Sequence, residues 1–188
     1  LNLMSLYVDQ YLATGEDTGP GSGVLTGRYA WYGVYATRDG RFLSVGAIEN
    51  HFFRKLCALL ELGQFAERQY DAAAQADMRS AFRARFLSRD RDEWVALLAA
   101  ADTCVAPVLS VPEVCADPHL RARASFTAAL HPEHGEFEQL APLLAGSERN
   151  VPPHAVARPG HTDTDEILRA AALSAAEIET LRAEGCVE

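Results

Sequence analysis

The dipeptide Asp39-Gly40 constrains this chain more than any other local feature. Before it, residues 28–37 are rich in aromatic and β-branched side chains, and after it residues 42–48 are largely apolar. Asp-Gly between two such runs is the strongest short-range signal for a β-hairpin, because glycine takes the left-handed backbone of the turn without a Cβ clash. A hairpin over residues 29–48 is expected.

Helical patterns surround this hairpin. Leu3, Leu6, Tyr7 and Tyr11 recur at helical spacing in residues 1–14, with no capping residue leading in. The chain has no initiator Met, and its opening reads as the middle of a longer protein. Residues 15–27 hold five glycines and Pro20 and read as a linker. Asn50 is expected to cap a helix over 51–62, stopped by Gly63. Further helices are expected over 72–87 and 90–101, the latter with Asp92 and Glu93 in its first turn, where the helix dipole favours acids.

Residues 103–111 read as a short strand broken by Pro107. Pro112 and Pro118 suit the first turns of two brief helices, to 116 and 123. Residues 126–130 and 137–140 are expected to pair as strands. Residues 141–160 read as a second linker and 164–172 as a helix. Ser174 and Glu177 form a capping box that opens a last helix to 184, with Gly185 as its stop. The fold class is α+β. A small mixed domain of residues 28–140, built of a hairpin and surrounding helices, lies between a helix and linker (1–27) and a linker with C-terminal helices (141–188). The flanking helices are expected to belong to an α/β large domain outside this chain.

With 17 Lys and Arg against 26 Asp and Glu, the net charge is -9. That balance disfavours nonspecific binding to nucleic acid or to an anionic membrane surface, both of which need a basic excess. No apolar run approaches the roughly 20 residues of a membrane-spanning helix. Cys57, Cys104, Cys115 and Cys186 form no Cys-x-x-Cys pair, so they read as buried, reduced thiols of a cytoplasmic protein. The glycines of 15–27 match neither a phosphate loop nor a dinucleotide fingerprint, and Ser22 and Ser44 lie in no Gly-x-Ser-x-Gly elbow. The arginines at 79, 83, 85, 89 and 91 alternate with acids and read as a solvated face.

Glu49 is the main chemical candidate. It closes the small, apolar run Gly46-Ala47-Ile48 at a strand end, beside an expected helix N-terminus. Such a carboxylate suits a general acid or base; the residues alone more readily describe a solvated acid before a helix. His51 and Glu49 resemble half of a metal site that nothing nearby completes, and His131, His134, His154 and His161 lie in polar, loop-like stretches. Tyr29, Trp31, Tyr32 and Tyr35 make an aromatic strand that forms either core or the wall of an acyl pocket.

The segment Tyr32-x-x-Tyr35-x-Thr37-x-Asp39-Gly40-x-Phe42-x-x-Val45-Gly46-Ala47-Ile48-Glu49-x-x-Phe52-Phe53 resembles the family III CoA-transferases, closest to their α-methylacyl-CoA racemase branch. Three more stretches follow in the same order: Trp94 with Asp102-x-Cys104-x-x-Pro107-Val108, then Glu113-Val-x-x-Asp117-Pro118-His119-Leu120-x-x-Arg123, then Arg158-Pro-Gly-His161 with Asp165-Glu-Ile-Leu168. The sequence departs from the racemase pattern at Asn50, where Pro is common, and at Tyr29-Ala30, where Ala-Pro is expected.

The resemblance implies an enzyme that moves the α-proton of a 2-methylacyl-CoA between two acid/base groups on opposite faces, without a dissociable cofactor. Glu49 maps onto one of those groups. Tyr32, Gly46, Ala47 and Ile48 map onto the acyl-binding wall. The opposite base and most of the CoA site would lie in an N-terminal large domain, and two chains would interlock as a homodimer. Alone, residues 1–188 are expected to be inactive. Two alternatives accompany this expectation: transfer of CoA between carboxylic acids, and a non-catalytic subunit that completes a site with a separate N-terminal half.

Overall fold

The computed structural model describes residues 2–142, 146, 153–156, 158 and 160–187. The chain divides into two units, Leu1–Ser110 and Val111–Glu188. That division falls inside the stretch 28–140. Most of the expected linker 141–160, and Pro159 of the tail motif, lie outside the described residues.

The first unit opens with a 3-10 turn (Asn2–Met4) and helix α1 (Ser5–Thr14). Gly15 ends the helix in the left-handed region, at φ 72°, and its N–H donates to the carbonyl of Tyr11. None of the residues of α1 is buried. Residues 15–27 follow without helix or strand.

The hairpin forms as β1 (Tyr32–Ala36) and β2 (Phe42–Gly46), antiparallel, with Tyr32 opposite Gly46 and Ala36 opposite Phe42. Thr37 accepts from Gly40 N–H, and Thr37 N–H donates to Arg41. The connection is therefore a three-residue loop in which Gly40, at φ 75°, takes the left-handed position. The first strand is shorter than expected. Trp31, just before it, still accepts from Ala47 N–H (3.1 Å) and is fully buried, its indole N–H donating to the carbonyl of Gln69 (2.8 Å).

β3 (Val105–Val108) joins antiparallel on β2 and completes the order β1-β2-β3. Gly46 N–H donates to Cys104 (2.9 Å), so every second pair along this ladder is hydrogen-bonded and the pair Leu43–Pro107 falls between them. Pro107 is thus part of the strand. The ladder asks for no N–H there, as an edge strand permits.

Three helices cover one face: α2 (Asn50–Leu59), α3 (Gln75–Phe86) and α4 (Arg91–Ala99). Tyr35, Leu43, Val45 and Val105 point into a core with Phe53, Leu56, Met78, Phe82, Phe86, Trp94 and Leu98. At roughly 1.5–3 kcal/mol per fully buried large apolar side chain, this core is the main stabilising element of the unit. Its polar atoms are paired: Trp94 indole N–H donates to Phe86 (2.9 Å), and Tyr35 hydroxyl donates to Ala30. Burial pushes the Tyr35 phenol up to about 12 and the Cys57 thiol up to about 12.

Two helix ends differ from expectation. Glu49, with extended backbone, is the N-cap of α2, and Asn50 is its first helical residue. At the other end Glu61, at φ 57°, takes the left-handed position. Its N–H donates to Ala58, and Leu62 N–H donates to Cys57. This is a Schellman ending, with Glu61 where glycine is usual, and it stops the helix before Gly63. α4 begins at a capping box of Asp90 and Glu93. The arginines are less uniformly solvated than expected. Arg79 donates to the carbonyls of Gly27 and Arg28, and Arg91 is buried, donating to Asp92 and the carbonyl of Val108.

The second unit holds α5 (Val111–Ala116) and α6 (Pro118–Ala122), the latter capped by the Asp117 carboxylate on Leu120 N–H (2.9 Å). β4 (Phe126–His131) and β5 (Gly135–Leu140) pair antiparallel. β6 (His154–Ala155) pairs parallel with β4, so the expected linker contributes a short strand. α7 (Thr164–Ala170) and α8 (Ala175–Ala183) follow, and Ser174 with Glu177 forms the expected capping box. The fold class is α+β.

Candidate functional site

β2 runs directly into the residues that carry the candidate chemistry. After Gly46, the N–H of Ala47 donates to Trp31 (3.1 Å) and the N–H of Ile48 reaches back to Gly46 (2.8 Å). The chain thereby leaves the sheet and enters α2 within three residues. Glu49 sits at the junction with φ -73° and ψ 137°. Its carbonyl accepts from Phe52 and Phe53 N–H at 3.0 and 3.1 Å, which starts the helix. Its side chain caps nothing. Short Ser, Thr, Asp and Asn side chains are the usual N-caps, and the longer Glu49 carboxylate is left exposed, without a hydrogen bond or ion pair among the described residues.

Of the expected wall residues, Tyr32 and Gly46 face each other across the ladder, and Tyr32 is half-buried and packs in part against the core. With Val34, Ser44 and Cys104 they line an open pocket of about 360 Å³. Ile48 is half-buried against the core. Ala47 is fully buried, so its methyl group belongs to the core and only its backbone borders the loop.

Cys104 is a site neighbour that residue spacing did not reveal. It lies one position before β3, in the left-handed region at φ 54°, and is exposed. Cys186 is exposed and Cys115 half-buried, so of the four cysteines expected to be buried only Cys57 is. The Cys104 thiol is pushed up, first by partial desolvation of the sulfur and then by the charges of Glu49 and Asp102.

Beneath the loop lies Gln69, buried between the core and residues 47–50, which hydrogen-bonds the backbone on the approach to Glu49. His51 lies with its ring against Phe52, centroids 3.9 Å apart. Among the described residues no three His, Cys, Asp or Glu side chains group as metal ligands would, and no helix is long and apolar enough to cross a membrane. The described arrangement thus presents a solvated carboxylate on a firmly held loop, beside a small, largely apolar pocket.

A family model described as CoA-transferase family III matches residues 1–164. An alpha-methylacyl-CoA racemase of Mus musculus is 34% identical over 177 residues, which cover 89% of this chain and 44% of the relative. An alpha-methylacyl-CoA racemase of Homo sapiens is 30% identical over 169 residues, with the same coverage of 89% and 44%. The chain thus spans less than half the length of these curated relatives. Among solved structures, Rv3272 from M. tuberculosis shares the fold with a TM-score of 0.60 at 16% identity, over 83% of this chain and 42% of that one.

Proposed function

Because the chain belongs to CoA-transferase family III, we propose that it is part of an acyl-CoA enzyme that moves the α-proton of a 2-methylacyl-CoA, with Glu49 as one of two acid/base groups. The observation that carries this reading is the free Glu49 carboxylate. It occupies a cap position, yet it bonds to nothing in the helix it begins. The racemase names of the two relatives favour this chemistry within the family.

In the proposed reaction a carboxylate takes the α-proton from one face of the thioester. The electron pair moves into the carbonyl as an enolate, and a second group returns a proton to the same carbon from the opposite face. No bond to CoA breaks and no redox partner is needed. Tyr32 and Gly46 border the acyl group, with the backbone of Ala47 and Ile48 behind it. A carboxylate as exposed as Glu49 needs a cover before it works in a water-poor site. That cover, with the second base and the CoA nucleotide site, comes from a large domain outside this chain, within an interlocked homodimer. The apolar side chains of Leu6, Tyr11 and Leu12, exposed on α1, support a further packing partner for that helix.

The test is α-proton exchange of a 2-methylacyl-CoA in deuterated water by the full-length protein. Glu49→Gln is expected to lower the exchange rate by at least about a hundredfold, as removal of a general acid/base does. Absence of exchange by the unaltered enzyme overturns the reading. The family description favours a second reading, transfer of CoA between carboxylic acids. An assay with two acids and one acyl-CoA separates the two, because Glu49→Gln is expected to abolish racemisation and leave transfer partly intact.

A further inference from the structure

The geometry points to Gln69 as a positioning residue for Glu49, acting together with Asn50. The inference rests on the acid/base role of Glu49 proposed above. Gln69 is only 3% exposed. Its side-chain amide N–H₂ donates to the carbonyls of Ala47 (3.2 Å) and Ile48 (2.7 Å), and its amide oxygen accepts from the side-chain amide of Asn50 (3.0 Å). One planar group therefore holds residues 47, 48 and 50 and leaves the Glu49 side chain untied between them. Tyr70 adds a hydroxyl bond to the carbonyl of Ile48 (3.3 Å).

The chemistry of the clamp selects an amide. Two adjacent carbonyls require two donors, and the Asn50 amide requires an acceptor; a primary amide supplies both at once. The reverse orientation of the Gln69 amide would set its oxygen against two carbonyl oxygens, so the network defines one orientation. Gln69 is itself anchored. Its backbone carbonyl accepts from the indole of Trp31 (2.8 Å) and the side chain of Gln75 (3.0 Å). The core thus fixes Gln69, Gln69 fixes the loop, and the loop aims the carboxylate.

Asn50 gives this arrangement its particular form. It occupies the first helical position, where proline fits well and where the racemase pattern commonly has it. Proline would keep the helix start, because Glu49 is already in the extended conformation that a following proline requires. It would not make the bond to Gln69. This chain therefore uses a side-chain tether at a position where a ring would restrain only the backbone.

The experiment uses the full-length enzyme with two variants. Gln69→Met keeps much of the side chain's length and removes both donors, and Asn50→Pro keeps the helix start and removes one tether. Displacing a catalytic group by about 1 Å costs up to about a hundredfold, so Gln69→Met is expected to lower kcat for α-proton exchange at least about tenfold, with KM within about twofold. Asn50→Pro is expected to lower kcat about threefold with an unchanged melting temperature, and it decides the matter alone if Gln69→Met does not fold. In parallel, amide hydrogen exchange at Phe52 and Phe53, which donate to the carbonyl of Glu49, is expected to accelerate.

Unchanged kcat in the folded variants, or a loss no larger than the loss of folded protein, overturns the positioning role. Unchanged amide exchange at Phe52 and Phe53 overturns the clamp itself, whatever the catalytic result. Failure of the unaltered enzyme to exchange the α-proton would instead sink the proposed reaction, while the amide-exchange measurement still judges the clamp.

Discussion

The sheet of the first unit lies against Phe53, Phe82 and Trp94 and buries Tyr35, Leu43, Val45 and Val105. In the second unit, β5 has no buried residue and β4 buries only Ala129. Both sheets have three strands, and both contain an antiparallel pair with a complete register. Among the described residues, the two ladders thus differ in how much apolar surface they bury. In the first unit packing supplies most of the stability. In the second, fewer of the described residues are buried, Ala129, Ala141 and Ile178 among them, and exposed pairs such as Arg121–Glu138 contribute little individually.

The largest expected effect tests this contrast directly. Trp94→Ala should destabilise the first unit by about 3–5 kcal/mol, the range for removing a buried aromatic side chain. Phe137→Ala, at a position 41% exposed on β5, should cost below about 1 kcal/mol. Urea midpoints for both variants check this, and equal losses would break the comparison.

A smaller effect should be common to both units. Gly40 and Gly135 have left-handed backbones at φ 75° and 79°, in the turn of one hairpin and at the end of the turn of the other. Valine at either position should cost about 1–2 kcal/mol, because its Cβ meets the backbone whether or not a core lies nearby. Unequal costs in urea titrations would show that the packed unit absorbs or amplifies turn strain.

The smallest effect concerns pH and one carboxylate in each unit. The Thr37 hydroxyl, donating to Asp39, holds that carboxyl below its ordinary range. The backbone N–H and hydroxyl of Ser174 do the same for Glu177. With a folded pKa below the unfolded one, each acid contributes stability that is fully present above the ordinary carboxylate range. It is lost as pH falls through the lowered value. Thr37→Val and Ser174→Ala should therefore be less stable than the unaltered chain at neutral pH, and the difference should narrow toward pH 3. Denaturation midpoints from about pH 2.5 to 7 read this directly.

The elements that rest on local chemistry were legible in the sequence: the Asp-Gly hairpin, the Ser174–Glu177 capping box and the helix started by Pro118. Glu49, Tyr32 and Gly46 are grouped by the resemblance of residues 32–53 to the family motif, and the ladder sets Tyr32 opposite Gly46. The rest depends on partners distant in sequence. The Trp31 indole bonds to the carbonyl of Gln69, 38 positions later. Glu61 takes a left-handed helix ending that its residue type does not announce. Cys104 reaches the site through the pairing of β3 with β2, and Gln69 belongs to no periodic pattern at all. The motif resemblance thus singles out Glu49, while the hydrogen bonds of Gln69 to residues 47, 48 and 50 became visible only through tertiary contacts.

Pro107 also shapes the free edge of the first sheet. The N–H of Val105 and the carbonyls of Val105 and Pro107 point to the outer edge of β3, since the intervening positions bond to β2. Proline leaves that edge without one of the donors that an added strand would use. The sheet is thereby blunted against growth on that side, and any intermolecular β-pairing is directed to the opposite edge, along β1.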